Sequence, residues 1–299
     1  MTTAVAIAVV LLVLVVTNVW VHLGPGQVHV VTGPLAALLL LVLARMAGLT
    51  WQELGFGRPA LMRGLQFAAV AAVAVAVVYA VAVSMPVTRG AFRDTRYRMG
   101  PGRALYTALV AIPLGTVLFE EVAFRSVLWG LLSRDYGILT ATAVSAGLFG
   151  LWHMLPATAL ARTHTSVQGR SAEGEVGEGR SVHGRSAEGE NAEGENAEGE
   201  DAEGDTAAGP RRLTITVLAT IAFTTLAGIV FAELRRRSGS LVAPIGLHWA
   251  TNGFGVLAAT RVWAISAGET ETPDASGPLG VVTQPAWKRI IRRLRSSRS

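Results

Sequence analysis

The chain has 299 residues, 51% apolar and only 16% charged, with a mean hydropathy of +0.44 and a net charge of +5. A soluble domain carries about a quarter charged residues, so this balance excludes an ordinary cytosolic globule and predicts an all-α, polytopic transmembrane bundle. There is no cysteine, which excludes a disulfide framework, a thiolate zinc site, an iron–sulfur cluster and a cysteine nucleophile.

A bilayer-crossing helix needs about 20 mostly apolar residues, and about seven spans are predicted. The first runs from Ala4 to Val21, with no basic segment before it that would mark a cleaved signal. The second has its heart at Leu35 to Ala44, and the third runs from Leu65 to Val83. The fourth, Ala104 to Leu132, is long enough to overhang the bilayer. Ile138 to Leu155 is the fifth, Leu213 to Ala232 the sixth and Leu241 to Trp263 the seventh. Residues 1–103 thus comprise the N-terminal helices and a basic loop. Residues 104–162 and 211–263 form the core that carries the polar motifs.

Charge is segregated along the chain. All basic residues except Lys288 are arginines, and more than half of the acids fall between Glu173 and Asp205. The loop after the third span holds Arg89, Arg93, Arg96, Arg98 and Arg103, and the tail holds six more basic residues from Lys288 to Arg298. Counting basic residues places both regions in the cytoplasm and the N-terminus outside. This distribution speaks for loops on an anionic leaflet rather than for nucleic acid. The preference for Arg over Lys points to a bacterial plasma membrane.

Between the fifth and sixth spans, residues 163–210 repeat SAEGE, NAEGE and DAEGD units. Such a stretch has too little apolar surface to offset the entropy of ordering, and is read as a disordered insertion. Residues 264–299 are a basic tail. In it Trp287, Ile290, Ile291 and Leu294 recur at helical spacing, which suits a short helix on anionic lipids.

Inside the spans, the costly residues are the informative ones. A charge at the middle of a membrane helix costs at least ~2.5–3.5 kcal/mol, yet the fourth span carries Glu120, Glu121 and Arg125. Glu121 and Arg125 are four apart, share a face and can pair. Glu120 points about 100° away and keeps no cation on its own helix, so its carboxyl is expected to titrate high and to serve as a base. In the fifth span Phe149 lies one turn before His153 and can wall its imidazole from water, or touch a substrate. In the seventh, His248 and Asn252 offer two donors on one face, suited to an oxyanion or simply to interhelical hydrogen bonding. Glu233 precedes Arg235–Arg237 and reads as a solvated helix end.

Two carboxylates, an Arg, two His and an Asn supply the parts of amide hydrolysis: an activated water, a base and oxyanion donors. Glu120, His153 and His248 offer a ligand set for a divalent metal such as zinc. Water activation without a metal is the alternative.

The motifs E-E-x-x-x-R at Glu120, F-x-x-x-H at Phe149 and H-x-x-x-N at His248 resemble the three motifs of the CPBP intramembrane proteases. That family takes in CAAX prenyl endopeptidases and the bacterial bacteriocin-processing and immunity proteins of the Abi group. The resemblance covers about Leu105 to Leu257, and the W-Q-E-L-G-F stretch at Trp51 looks similar too. It implies that Glu120 activates water with help from His153, that Arg125 holds Glu121, and that His248 and Asn252 bind the oxyanion. The partner it implies is a peptide or protein substrate at the membrane. A binding protein of the immunity type and a proton-coupled transporter are the competing classes.

Overall fold

The computed structural model describes residues 2–23, 29–158 and 200–270, which are mostly helical with no strand among them. Residues Met1–Val262 form one compact unit and Trp263–Ser299 a second. Of the second unit, residues 263–270 are described, as the last turns of a helix. The predicted lipid-facing helix at Trp287, with the anionic lipids assigned to it, lies outside the described residues. So do residues 163–199 of the repeat insertion.

Helices α1 (Thr3–Leu23) and α2 (His29–Met46) are the first two predicted spans. Helix α3 (Arg58–Ser84) starts after an extended Gly57 and carries Pro59 in its first turn, where a missing N–H breaks no bond. The basic loop follows as short turns, Pro86–Arg89, Gly90–Phe92 and Thr95–Tyr97.

The apolar stretch Pro101–Thr158 is long enough to be counted as one span, but it doubles back at Gly137, whose φ of 81° and ψ of 168° suit only glycine. Cross-hairpin hydrogen bonds prove the reversal. Trp129 Nε1 donates to Thr142 Oγ1 at 3.2 Å, and Ser145 Oγ to the Phe124 carbonyl at 2.6 Å. The chain therefore makes two passes, α4 over residues 101–136 and α5 over residues 138–152. Helices α6 (Glu200–Ser238) and α7 (Val242–Thr270) complete the set. The start of α6 at Glu200 makes residues 200–210 helical, although the sequence reading placed them in the disordered insertion. Ala and Glu are strong helix formers, and here they extend an adjoining apolar helix.

The described residues thus hold helices α1 to α7, against about seven spans expected from the sequence. Among the described residues, four stretches are long and apolar enough to cross a bilayer by themselves: Thr3–Val21, Arg58–Ser84, Pro101–Thr158 and Leu213–Ser238. The lower number arises because α4 and α5 run on as one stretch, α2 is short, and α7 carries polar residues.

Helix α4 is the axis of the core. Every residue from Phe119 to Leu132 is buried, packed among Val10, Leu14, Leu40, Ala44 and Phe149. Three π-helical segments interrupt it, Thr107–Ala111, Pro113–Val117 and Val122–Leu128, and the last two bracket the α-turn Leu118–Glu121. Pro113 lacks an N–H and crowds the preceding turn, which favours such widening nearby, and π-bulges commonly mark functional sites. Helix α3, by contrast, is peripheral and buries only Gly64 along its length.

The loop between α2 and α3 locks one end of the bundle. Thr50 N donates to Glu53 Oε2 at 2.6 Å while Glu53 N donates to Thr50 Oγ1 at 3.2 Å, a capping box in a tight turn. Its carbonyls then accept from three other elements. Ser126 Oγ bonds Leu54, Leu241 N bonds Gly55 and Arg235 Nη2 bonds Glu53.

Candidate active site

Glu120 and Glu121 sit in the one α-turn of α4 that two π segments bracket, and both are buried. Arg125 Nη1 lies 3.2 Å from Glu121 Oε1 across one turn, and its side chain is wholly buried. The pairing that the spacing predicts is therefore formed. The guanidinium is also sandwiched by aromatics, 3.8 Å from the centroid of Phe149 and 4.9 Å from that of Phe231. In a water-free interior a cation so placed gains from the ring quadrupoles as well as from the carboxylate.

Helix α7 brings His248 to the same turn. Its Nδ1 lies 2.7 Å from Glu121 Oε1 and its Nε2 3.7 Å from Glu120 Oε2. The carboxylate can only accept from Nδ1 when ionised, which fixes the ring orientation. Phe231 of α6 stacks on this imidazole at 5.0 Å and 20°.

Glu120 is held differently. Oε1 accepts a 2.9 Å hydrogen bond from Trp152 Nε1, and Oε2 has no hydrogen-bond partner among the described residues. Glu120 forms part of the wall of a cavity of about 410 Å³ together with Trp152, His153, Asn252, Thr116 and Tyr97. The cavity runs from the carboxylate toward the end of the bundle that carries the Arg-rich loop. His153 Nδ1 lies 2.8 Å from the Phe149 carbonyl, an acceptor only, so in the neutral ring the proton is on Nδ1 and Nε2 is left as an acceptor.

Phe149 is the hub. Its ring stands 4.7 Å from His153 and 5.9 Å from His248, both edge-on, and brings together two imidazoles that lie on different helices. It is 2% exposed and forms no part of the cavity wall. Phe149 thus supports the two imidazoles from behind. One difference concerns α7. His248 is buried against the carboxylates whereas Asn252 borders the cavity, so the two donors face different neighbours.

The family model for type II CAAX prenyl endopeptidases of the Rce1-like kind matches residues 101–254, which hold the whole of this cluster. The chain belongs to the Rce1-like type II CAAX prenyl endopeptidase family. No curated protein and no solved structure matches it. The Rce1-like region together with the long apolar helices makes this a multi-pass membrane protein.

Among the described residues no three His, Asp or Glu side chains converge on one point. His248 Nδ1 is taken by Glu121 and His153 Nδ1 by the Phe149 carbonyl, which leaves Nε2 as the free nitrogen of each ring.

Two partners of the site were missed at the sequence level. Trp152 had a readable signal, because an indole N–H in a buried helix needs an acceptor. Phe231 had none, being one aromatic in an apolar span. Glu233 does bind Arg236 and Arg237 at a solvated helix end, as expected. Arg235 departs from that reading and turns inward, 4% exposed.

Proposed function

We propose that the protein is an intramembrane endopeptidase that hydrolyses a peptide bond of a membrane-associated peptide or protein. One observation carries the reading. Glu120 is oriented by Trp152 through one oxygen, its other oxygen makes no hydrogen bond and lies 3.7 Å from His248 Nε2, and the residue lines a cavity with His153 and Asn252.

A water in that cavity loses a proton to Glu120 Oε2 while His153 Nε2 orients it, and its oxygen bonds to the substrate carbonyl carbon. The Asn252 amide donates to the developing oxyanion. His248 Nε2 can join it only in the imidazolium form, because Nδ1–H is already committed to Glu121. With Arg125, that form would balance the two carboxylates of the cluster. Collapse of the tetrahedral species breaks the C–N bond, and Glu120 returns its proton to the leaving amine. Glu121 and Arg125 position His248 and touch no substrate. The Arg-rich loop lies at the open end of the cavity, so cleavage is assigned to the face that the charge bias makes cytoplasmic.

Purified wild type and Glu120→Gln in detergent, given quenched peptides with and without an isoprenyl group, test this reading. Wild-type cleavage should fall by a factor of about 10²–10⁴ in the variant, and should persist after exhaustive chelation. Equal turnover by both proteins would overturn it. A folded wild type without activity on any peptide would favour a binding protein of the immunity type.

A further inference from the structure

A second cavity of about 410 Å³ lies at the opposite end of the bundle from Tyr97, lined by residues of the α2–α3 loop, α3, α4 and α6. Its wall includes Arg235, whose side chain is buried and has no acidic partner among the described residues. Nη2 reaches only the Glu53 carbonyl at 2.7 Å, Nε has no partner, and the guanidinium packs 5.5 Å from the ring of Trp129. A buried charge left without a counter-charge costs several kcal/mol. The contrast with Arg125 is direct, since that residue is equally buried and has Glu121.

The one carboxylate in the wall is already committed. Glu53 bonds the Thr50 amide and hydroxyl and accepts a fork from Arg134 at 3.1–3.2 Å. Burial pushes its carboxyl up, but the bonds from Thr50 and Arg134 outweigh that and hold it below its ordinary value. The other wall groups are Arg63, Ser133, Ser238 and Gln52, with Gly57, Pro59 and Ala60 from the first turn of α3. In that turn Pro59 has no N–H and Ala60 N is bonded to the Gly57 carbonyl, so the positive charge beside this space comes from the two arginines.

From this geometry we infer that the cavity binds a phosphate group, with Arg235 and Arg63 as its charged ligands. A phospholipid headgroup and a free phosphate share that chemistry. The lipid is the better fit on position, because Leu61, Met62 and Leu65 just beyond the cavity are exposed on α3 and offer acyl chains an apolar track. The site is separate from the catalytic cluster and does not depend on the proposed hydrolysis.

Thermal unfolding of the full-length protein in detergent, titrated with dihexanoyl phosphatidylglycerol or with inorganic phosphate, tests the inference. Saturable stabilisation of wild type is expected, weakened about tenfold by Arg63→Gln, which removes one charge-assisted contact from an exposed side chain. Arg235→Gln should abolish it. Because that change also removes the bond to the Glu53 carbonyl, the Arg63 variant carries the test if Arg235→Gln does not fold. Stabilisation by the lipid, competed by phosphate, supports a headgroup site. Stabilisation by phosphate alone supports the site and assigns it to a soluble anion. No saturable effect on wild type, or one unchanged in Arg63→Gln, overturns it.

Discussion

Arg125 and Glu121 form a pair with no exposed surface, closed by the rings of Phe149, Phe231 and Phe124. A pair in that setting gains little net stability from existing, and a great deal is lost when one member goes. Arg125→Met should therefore cost about 3–5 kcal/mol, seen as loss of monodisperse protein and a lower unfolding temperature. The double change Glu121→Gln, Arg125→Met should recover part of the stability, since no lone charge is then left inside. Additive losses in the double variant would show that the pairing is not what couples the two residues. This much was legible from the i, i+4 spacing alone. The second role of Glu121, as the acceptor for His248 Nδ1, was not. It depends on α7 crossing α4 at this turn, and no periodicity within one helix encodes a crossing.

At the scale of the element, apolar length made the seven passes readable, and the break before Ile138 showed where α4 gives way to α5. The packing between helices was less visible, because it rests on glycines whose value is what they lack. A methyl group added at Gly150 would stand 2.0 Å from Thr225 Oγ1 and 2.8 Å from the Ile221 carbonyl, so α5 and α6 meet only because that position is bare. Gly147, one turn earlier on the same helix, would meet nothing within 4 Å. Gly150→Ala should then destabilise by about 1–3 kcal/mol through overpacking and reduce turnover by displacing His153 from the cavity wall. Gly147→Ala should be neutral or stabilising by up to about 1 kcal/mol. Unfolding temperature and turnover, measured on both variants side by side, check this. Equal effects would mean that helix propensity, not the α5–α6 contact, sets the outcome. The sequence presents both positions as the same residue in the same apolar span. Only the neighbour across the interface distinguishes them.

Across the whole molecule, polar residues of similar appearance have separate fates. The Arg235–Arg237 run reads as one solvated cluster, yet Arg236 and Arg237 pair with Glu233 while Arg235 is drawn into the bundle end by the Glu53 carbonyl. The three motifs are legible because each lies on its own helix within one region, and the fold needs only to bring those helices together. It does so across a wide gap in the chain. Glu120, Arg125, Phe149 and His153 all precede residue 159, whereas Phe231, His248 and Asn252 all follow residue 199. The contacts that join the two groups run between helices: Gly150 with Thr225, Gly228 with Ala146, Arg125 with Phe231 and Glu121 with His248. No covalent continuity is required at that seam. Two fragments, one ending and the other beginning within the repeats, should assemble in the membrane when co-expressed and regain wild-type cleavage, with neither active alone. Co-purification of the pair through a tag on one fragment is the readout, and fragments that fail to associate would show that the covalent link itself is needed to bring the halves together. The protein, in effect, would be divisible into a half that holds the proposed base and a half that holds the proposed oxyanion donors.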